Sequence, residues 1–132
     1  MRKIALILIA AIAFIFAACK SASTPEAVAE SFLKAVYTAH FEKAKTLCTD
    51  ESKQAIDFVA AFASQSVDQM KKAKVGFELI SATIAEDGNS AVVVAKLTGT
   101  LDLQKEEVVD EKEEKVNLVK VDNKWLVDYK LK

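Results

Sequence analysis

The chain has 132 residues, with 18 basic against 19 acidic side chains, one histidine and two cysteines. That length suffices for one small hydrophobic core and no second domain. The near-zero balance excludes the basic stripe of a nucleic-acid binder, and so few cysteines and histidines exclude a disulfide framework or a Cys/His metal centre.

Arg2 and Lys3 precede an apolar run from Ile4 to Phe16 that ends in Ala17-Ala18-Cys19. A positive start, a short apolar core and small residues before a cut are the parts of an export signal, expected here over residues 1–18. The run falls short of the roughly 20 apolar residues that a spanning helix needs. Phe16-Ala17-Ala18-Cys19 resembles the bacterial lipobox, with Phe16 where leucine is usual. The resemblance implies diacylglycerol on the Cys19 thiol, cleavage before Cys19 and acylation of the new amino terminus by palmitate-type chains. Each buried methylene then adds about 0.8 kcal/mol of membrane affinity. Without Arg2 and Lys3 the processed chain keeps 16 basic against 19 acidic residues, a balance of −3. Lys20 beside the lipidated cysteine implies, by resemblance to enterobacterial sorting signals, the outer membrane where the cell has one. Cys48 is then left without an intrachain partner, and its place beside Leu47 in a helix predicts a small buried apolar residue.

Residues 19–24 form the lipidated cysteine and a short polar tether, and residues 25–132 a single domain. Thr24-Pro25-Glu26 opens the first helix: a capping hydroxyl, a proline suited to the first turn and an acid at the positive end of the dipole. Val28, Phe32, Ala35 and Val36 supply its buried face. A second, short helix starts at Phe41-Glu42-Lys43-Ala44. The third is expected from about Glu51 to Lys74, with Ile56, Val59, Ala60, Ala63, Val67 and Met70 on one stripe; Phe58 and Phe62 widen it, so the helix is expected to be sandwiched in the core, the alternative being that the two rings serve a pocket or partner surface.

After Val75 the pattern alternates, predicting a meander of antiparallel strands. The first strand, about Val75 to Ala85, turns at Asp87-Gly88. The second, about Ser90 to Leu101, sets Ala91, Val93, Ala95, Leu97 and Leu101 on one face and Lys96, Thr98 and Thr100 on the other, with Gly99 marking a bulge or bend. The charge-dense run Lys105–Lys115 is expected as a solvated hairpin end; it lacks the ligand spacing and the glycine of a calcium loop. The third strand covers Val116 to Val121, Asp122-Asn123 turns, and Trp125, Val127, Tyr129 and Leu131 form the apolar face of the last. The expected class is therefore α+β: three N-terminal helices packed on a curved four-stranded antiparallel sheet.

This combination, with the terminal Lys124-Trp125-Leu126-Val127-Asp128, resembles the small bacterial lipoproteins of unknown function with a cystatin-like, nuclear-transport-factor-two-like fold. The resemblance implies a cone of bent sheet and helices around an apolar cavity. That wider superfamily includes ligand binders, isomerases, dehydratases and interaction modules, many of them paired through the open sheet face. Fold alone does not select among these roles.

The residues give no catalytic set. His40 sits at a helix–helix turn, and alternation sends Asp128 to the sheet face opposite Tyr129, so a base and a hydroxyl donor do not meet there. No enzyme, metal site, cofactor or nucleic-acid partner is expected. Two non-catalytic readings stand. The first expectation is an interaction module of the envelope, anchored to the membrane through lipid on Cys19 and dimerising or meeting an envelope protein through its sheet face. The alternative is a cup for an apolar or amphipathic small molecule. Its wall, or in the first reading the filled core, would draw on Phe32, Phe58, Phe62, Phe77, Val93, Leu97, Trp125 and Tyr129. An isomerase-like enzyme comes last.

Overall fold

The computed structural model describes residues 24–130. The expected export signal, the lipidation of Cys19 and the strand residue Leu131 lie outside the described residues. Helix α1 spans Pro25–Tyr37; the Thr24 hydroxyl accepts the Ala27 amide at 3.2 Å, and Pro25 opens the first turn as its sequence predicts. The chain reverses at Ala39, whose φ is +62°, and the His40 amide reaches back to the Ala35 carbonyl at 2.8 Å. Helix α2, Phe41–Thr46, follows. Helix α3, Asp50–Phe62, is capped by Thr49, whose hydroxyl accepts from the Ser52 amide.

The single long helix expected over Glu51 to Lys74 is two helices, so the domain has four helices among the described residues. Helix α3 ends at Phe62 and α4 covers Val67–Lys72. Between them the Ser66 amide turns back to Ala63 at 2.8 Å. Ser64 and Ser66 are weak helix formers whose hydroxyls compete for backbone groups. A straight helix would also hold Ala63 and Met70 about 10 Å apart along its axis. The break lets both join Ala39 and Leu101 in one small buried cluster.

The strands form one antiparallel sheet in the order β1-β2-β3-β4, with β1 at Gly76–Ile84, β2 at Ser90–Asp102, β3 at Glu107–Val121 and β4 at Lys124–Val127. The Gly88 turn (φ +73°) and the Asp122-Asn123 turn (φ +50° and +65°) fall where the sequence sets them. Three expectations need correction. Strand β3 begins at Glu107 and not at Val116, because most of the charged run pairs with β2 in register from Ser90 opposite Val119 to Asp102 opposite Glu107. Opposite charges across strands stabilise it: Lys96 reaches Glu78 at 2.9 Å and Glu111 at 3.5 Å. Strand β4 stops at Val127, since the Tyr129 amide leaves the sheet to donate to the Ser52 hydroxyl at 2.8 Å. Thr100 does not share the solvent face with Lys96 and Thr98; it is 1% exposed. Gly99, at φ +72°, bends β2 there and interrupts the alternation, so that Thr100 and Leu101 are both buried.

The main core joins α1, through Ala29, Phe32 and Leu33, to Val93, Ala95 and Leu97 of β2, to Val116 and Leu118 of β3, and to Trp125 and Val127 of β4. Cys48 is buried there, its thiol 3.5 Å from the Lys45 carbonyl oxygen. Among the described residues both clusters join helix to sheet, the packing on which a single domain of this size rests.

Candidate functional site

Between the main core and the smaller cluster lies a solvent-accessible cleft of about 520 Å³. Helix α1 contributes Val36 and Tyr37, α3 and α4 contribute Val59 and Met70, and the bent end of β2 contributes Thr100 and Leu101. The β2–β3 hairpin and the tail residue Tyr129 complete the wall. The bend at Gly99 is what turns Thr100 into this space, opposite Val109 of β3.

One end of the cleft is polar. Tyr37 donates its hydroxyl hydrogen to the Glu114 carboxylate. Lys112 donates to the Tyr37 oxygen at 2.9 Å, lies 3.1 Å from Glu114 Oε2 and stands 5.1 Å from the centre of the Tyr37 ring. Burial raises the Tyr37 hydroxyl far above its ordinary range, and the hydrogen bond to Glu114 adds to this, so the phenol stays neutral. Tyr129 is raised too, first by burial and then by the Glu114 charge, with Lys112 opposing. Its ring packs on Phe32 with centroids 5.6 Å apart and planes at 54°. At the hairpin, Asp102 Oδ1 accepts the amides of Gln104 at 2.9 Å and Lys105 at 3.1 Å, which hold its carboxyl below the usual range.

This arrangement can bind and orient a molecule with one apolar and one polar end. It offers the ammonium groups of Lys112 and Lys105, neutral phenols and the Thr100 hydroxyl, whereas Cys48 and Ser52 lie outside the lining, buried. Burial pushes the Cys48 thiol up, and the Ser52 hydroxyl is spent on the backbone of Val127 and Tyr129. Among the described residues no group of three or more His, Cys, Asp and Glu side chains is placed to hold a metal ion. A second depression, about 380 Å³ between α1 and α2, is shallower; its Glu30 and Lys34 pair with each other at 2.9 Å, and Thr38 meets His40 at 2.7 Å.

Of the eight residues the sequence singles out, only Tyr129 lines the cleft. Phe32, Val93, Leu97 and Trp125 are buried in the main core and Phe77 packs half-buried against it. Phe58 and Phe62 contradict the sandwiched-helix expectation. They are 61% and 59% exposed, because α3 is covered on one side only and buries Ser52 and Ile56 there. The polar group Tyr37, Lys112 and Glu114 was missed. Its signal is the period-two series Lys112, Glu114, Val116, Leu118, which continues the inward face of β3 back into the charged run.

No protein-family model matches the chain, and no curated protein matches it. Two solved structures resemble it. One is a protein from Campylobacter jejuni described provisionally as an NTF2-like transpeptidase, with TM-score 0.56, 22% identity, and coverage of 80% of this chain and 97% of that one. The other is the intermembrane space region of the chloroplast protein ARC6, with TM-score 0.46, 15% identity, and coverage of 77% and 88%. The Campylobacter likeness establishes an NTF2-like α+β fold for this chain and, at that identity, nothing about its activity.

Proposed function

We propose that this chain is a lipid-anchored protein of the bacterial envelope whose folded part is a non-catalytic cup for an amphipathic small molecule. The observation that carries the cup is the cleft of about 520 Å³, apolar along Val36, Val59, Met70 and Leu101 and polar at Tyr37 and Lys112, to both of which Glu114 is paired. Ligand pockets fall in the range of about 300–1,000 Å³ and combine an apolar lining with a few placed polar groups. The anchor rests on the sequence from Arg2 to Cys19 alone. The transpeptidase activity named for the Campylobacter protein is not carried over, because a likeness at 22% identity speaks for the fold alone.

Native mass spectrometry on residues 21–132 exported without the lipid tests the cup: a monomer with a reproducible one-to-one adduct supports it, and its absence from material purified without detergent counts against it. Cys19→Ala tests the anchor, and retention in the membrane fraction would refute it. A second reading, pairing of two copies through the sheet, draws support from Leu79, Ile80 and Ile84, which stand 45%, 51% and 52% exposed on the edge strand β1. A concentration-dependent dimer without adduct would favour it.

A further inference from the structure

The carboxylate that lines the cleft, Asp102, and the one paired to its lining, Glu114, are already engaged, whereas the ammonium groups of the wall keep capacity. Asp102 is held by the two hairpin amides, and Glu114 by Tyr37 and Lys112. Lys112 has three N–H donors; one goes to the Tyr37 oxygen, and the ammonium also pairs with Glu114 at 3.1 Å. Lys105, on the hairpin wall, forms no ion pair among the described residues, and Thr100 and Tyr129 add hydroxyls to the same wall. Building on the cup proposed above, we infer that the cleft takes single-chain amphiphiles with an anionic headgroup, seated between Lys112 and Lys105 with the tail along Val36, Val59 and Leu101. Glu114 is then the internal stand-in for that headgroup. It holds Lys112 and Tyr37, and an arriving anion competes with it for the same donors. Opposite effects of removing the lysine and removing the carboxylate charge follow from this geometry, and a merely structural ion pair would not produce them.

The experiment is calorimetric titration of residues 21–132 with three probes of one tail length: decanoate, decanol and decyltrimethylammonium. Decanoate should bind about tenfold more tightly than decanol, the difference expected of one charge-assisted hydrogen bond, and the cation more weakly than either. Lys112→Met, which keeps the aliphatic stem, should weaken decanoate about tenfold more than decanol and so bring the two to the same level. Glu114→Gln should tighten decanoate by about tenfold by removing the competitor. Lys105→Met, on an exposed side chain, should weaken decanoate several-fold and serves where Lys112→Met fails to fold. Equal binding of decanoate and decanol would overturn the headgroup assignment while sparing the cup, as would a weakening of decanoate by Glu114→Gln. If none of the three probes binds, both fall.

Discussion

Gly99 is the residue on which the cleft depends, and replacing it by alanine separates two costs. Its φ of +72° lies in the left-handed region, where a side chain costs an L-residue about 1–2 kcal/mol. A Cβ there would also stand 2.5 Å from the Lys74 carbonyl oxygen, so that contact must open by about 0.9 Å to reach the ordinary 3.4 Å. The obstacle is backbone just ahead of β1, and relieving it moves one strand against its neighbour, an overpacking cost of about 1–3 kcal/mol. Gly99→Ala should therefore lose about 2–5 kcal/mol, a large part of the roughly 5–15 kcal/mol that holds a domain together. Gly88→Ala supplies the comparison: its φ is +73° and a Cβ there meets nothing within 4 Å, so it should lose the conformational part alone. Urea unfolding followed by the fluorescence of Trp125, the single tryptophan, reads both variants, with the denaturant slope unchanged. If the two glycines cost the same, the close approach of Lys74 contributes nothing and the argument for the bend fails.

Phe32→Ala should cost about 3–5 kcal/mol in the same assay, because the ring is buried between helix and sheet, whereas Phe62→Ala at an exposed site should stay within about 0.5 kcal/mol. Ser52→Ala leaves the Tyr129 amide without its acceptor and should cost about 1–3 kcal/mol. Tyr37 and Tyr129 hold their protons above the unfolded value of 10.0, so their contribution to stability is complete below that pH and declines above it, where the unfolded chain releases protons that the folded one keeps. Tyrosinate absorbance of the folded protein should accordingly rise later than that of the urea-unfolded chain, and Tyr37→Phe should flatten the alkaline fall in stability; coincident titrations in the two states would refute this.

The sequence made the order of elements legible because local chemistry decides it. Thr24-Pro25, Asp87-Gly88 and Asp122-Asn123 each act within a few residues, and the structure places a cap or turn at every one. The α3–α4 break was not legible. The apolar stripe continues through Ala63, Val67 and Met70, and what breaks it is the packing of Ala63 and Met70 against Leu101, far along the chain. The polar end of the cleft was hidden for a related reason. Lys112 and Glu114 sit in a run so rich in charge that composition argues for solvent, yet their register on β3 turns them toward Tyr37 of α1. Phe58 and Phe62 erred the other way, since the hydrophobicity of a side chain does not say whether a neighbour exists to cover it.

The division of the interior into two clusters bears on how such a cup can coexist with a stable small domain. The main core meets the cleft at Val36, with Tyr37 and Tyr129 packed against it, while its remaining buried residues lie outside the cleft lining. The smaller cluster of Ala39, Ala63, Met70 and Leu101 pins the α3–α4 arm to the end of β2 with few side chains. Two of these, Met70 and Leu101, also face the cleft. A flexible thioether at that seam can change rotamer around a guest at little cost, while the main core keeps its packing. In the proposed cup, Val36, Met70 and Leu101 would serve both packing and binding, and the rest of the core packing alone. The aromatic side chains that dominate the core, Phe32 and Trp125, hold the scaffold, and the guest would be read by Tyr37, Lys112 and Glu114 with Met70 adjusting the fit.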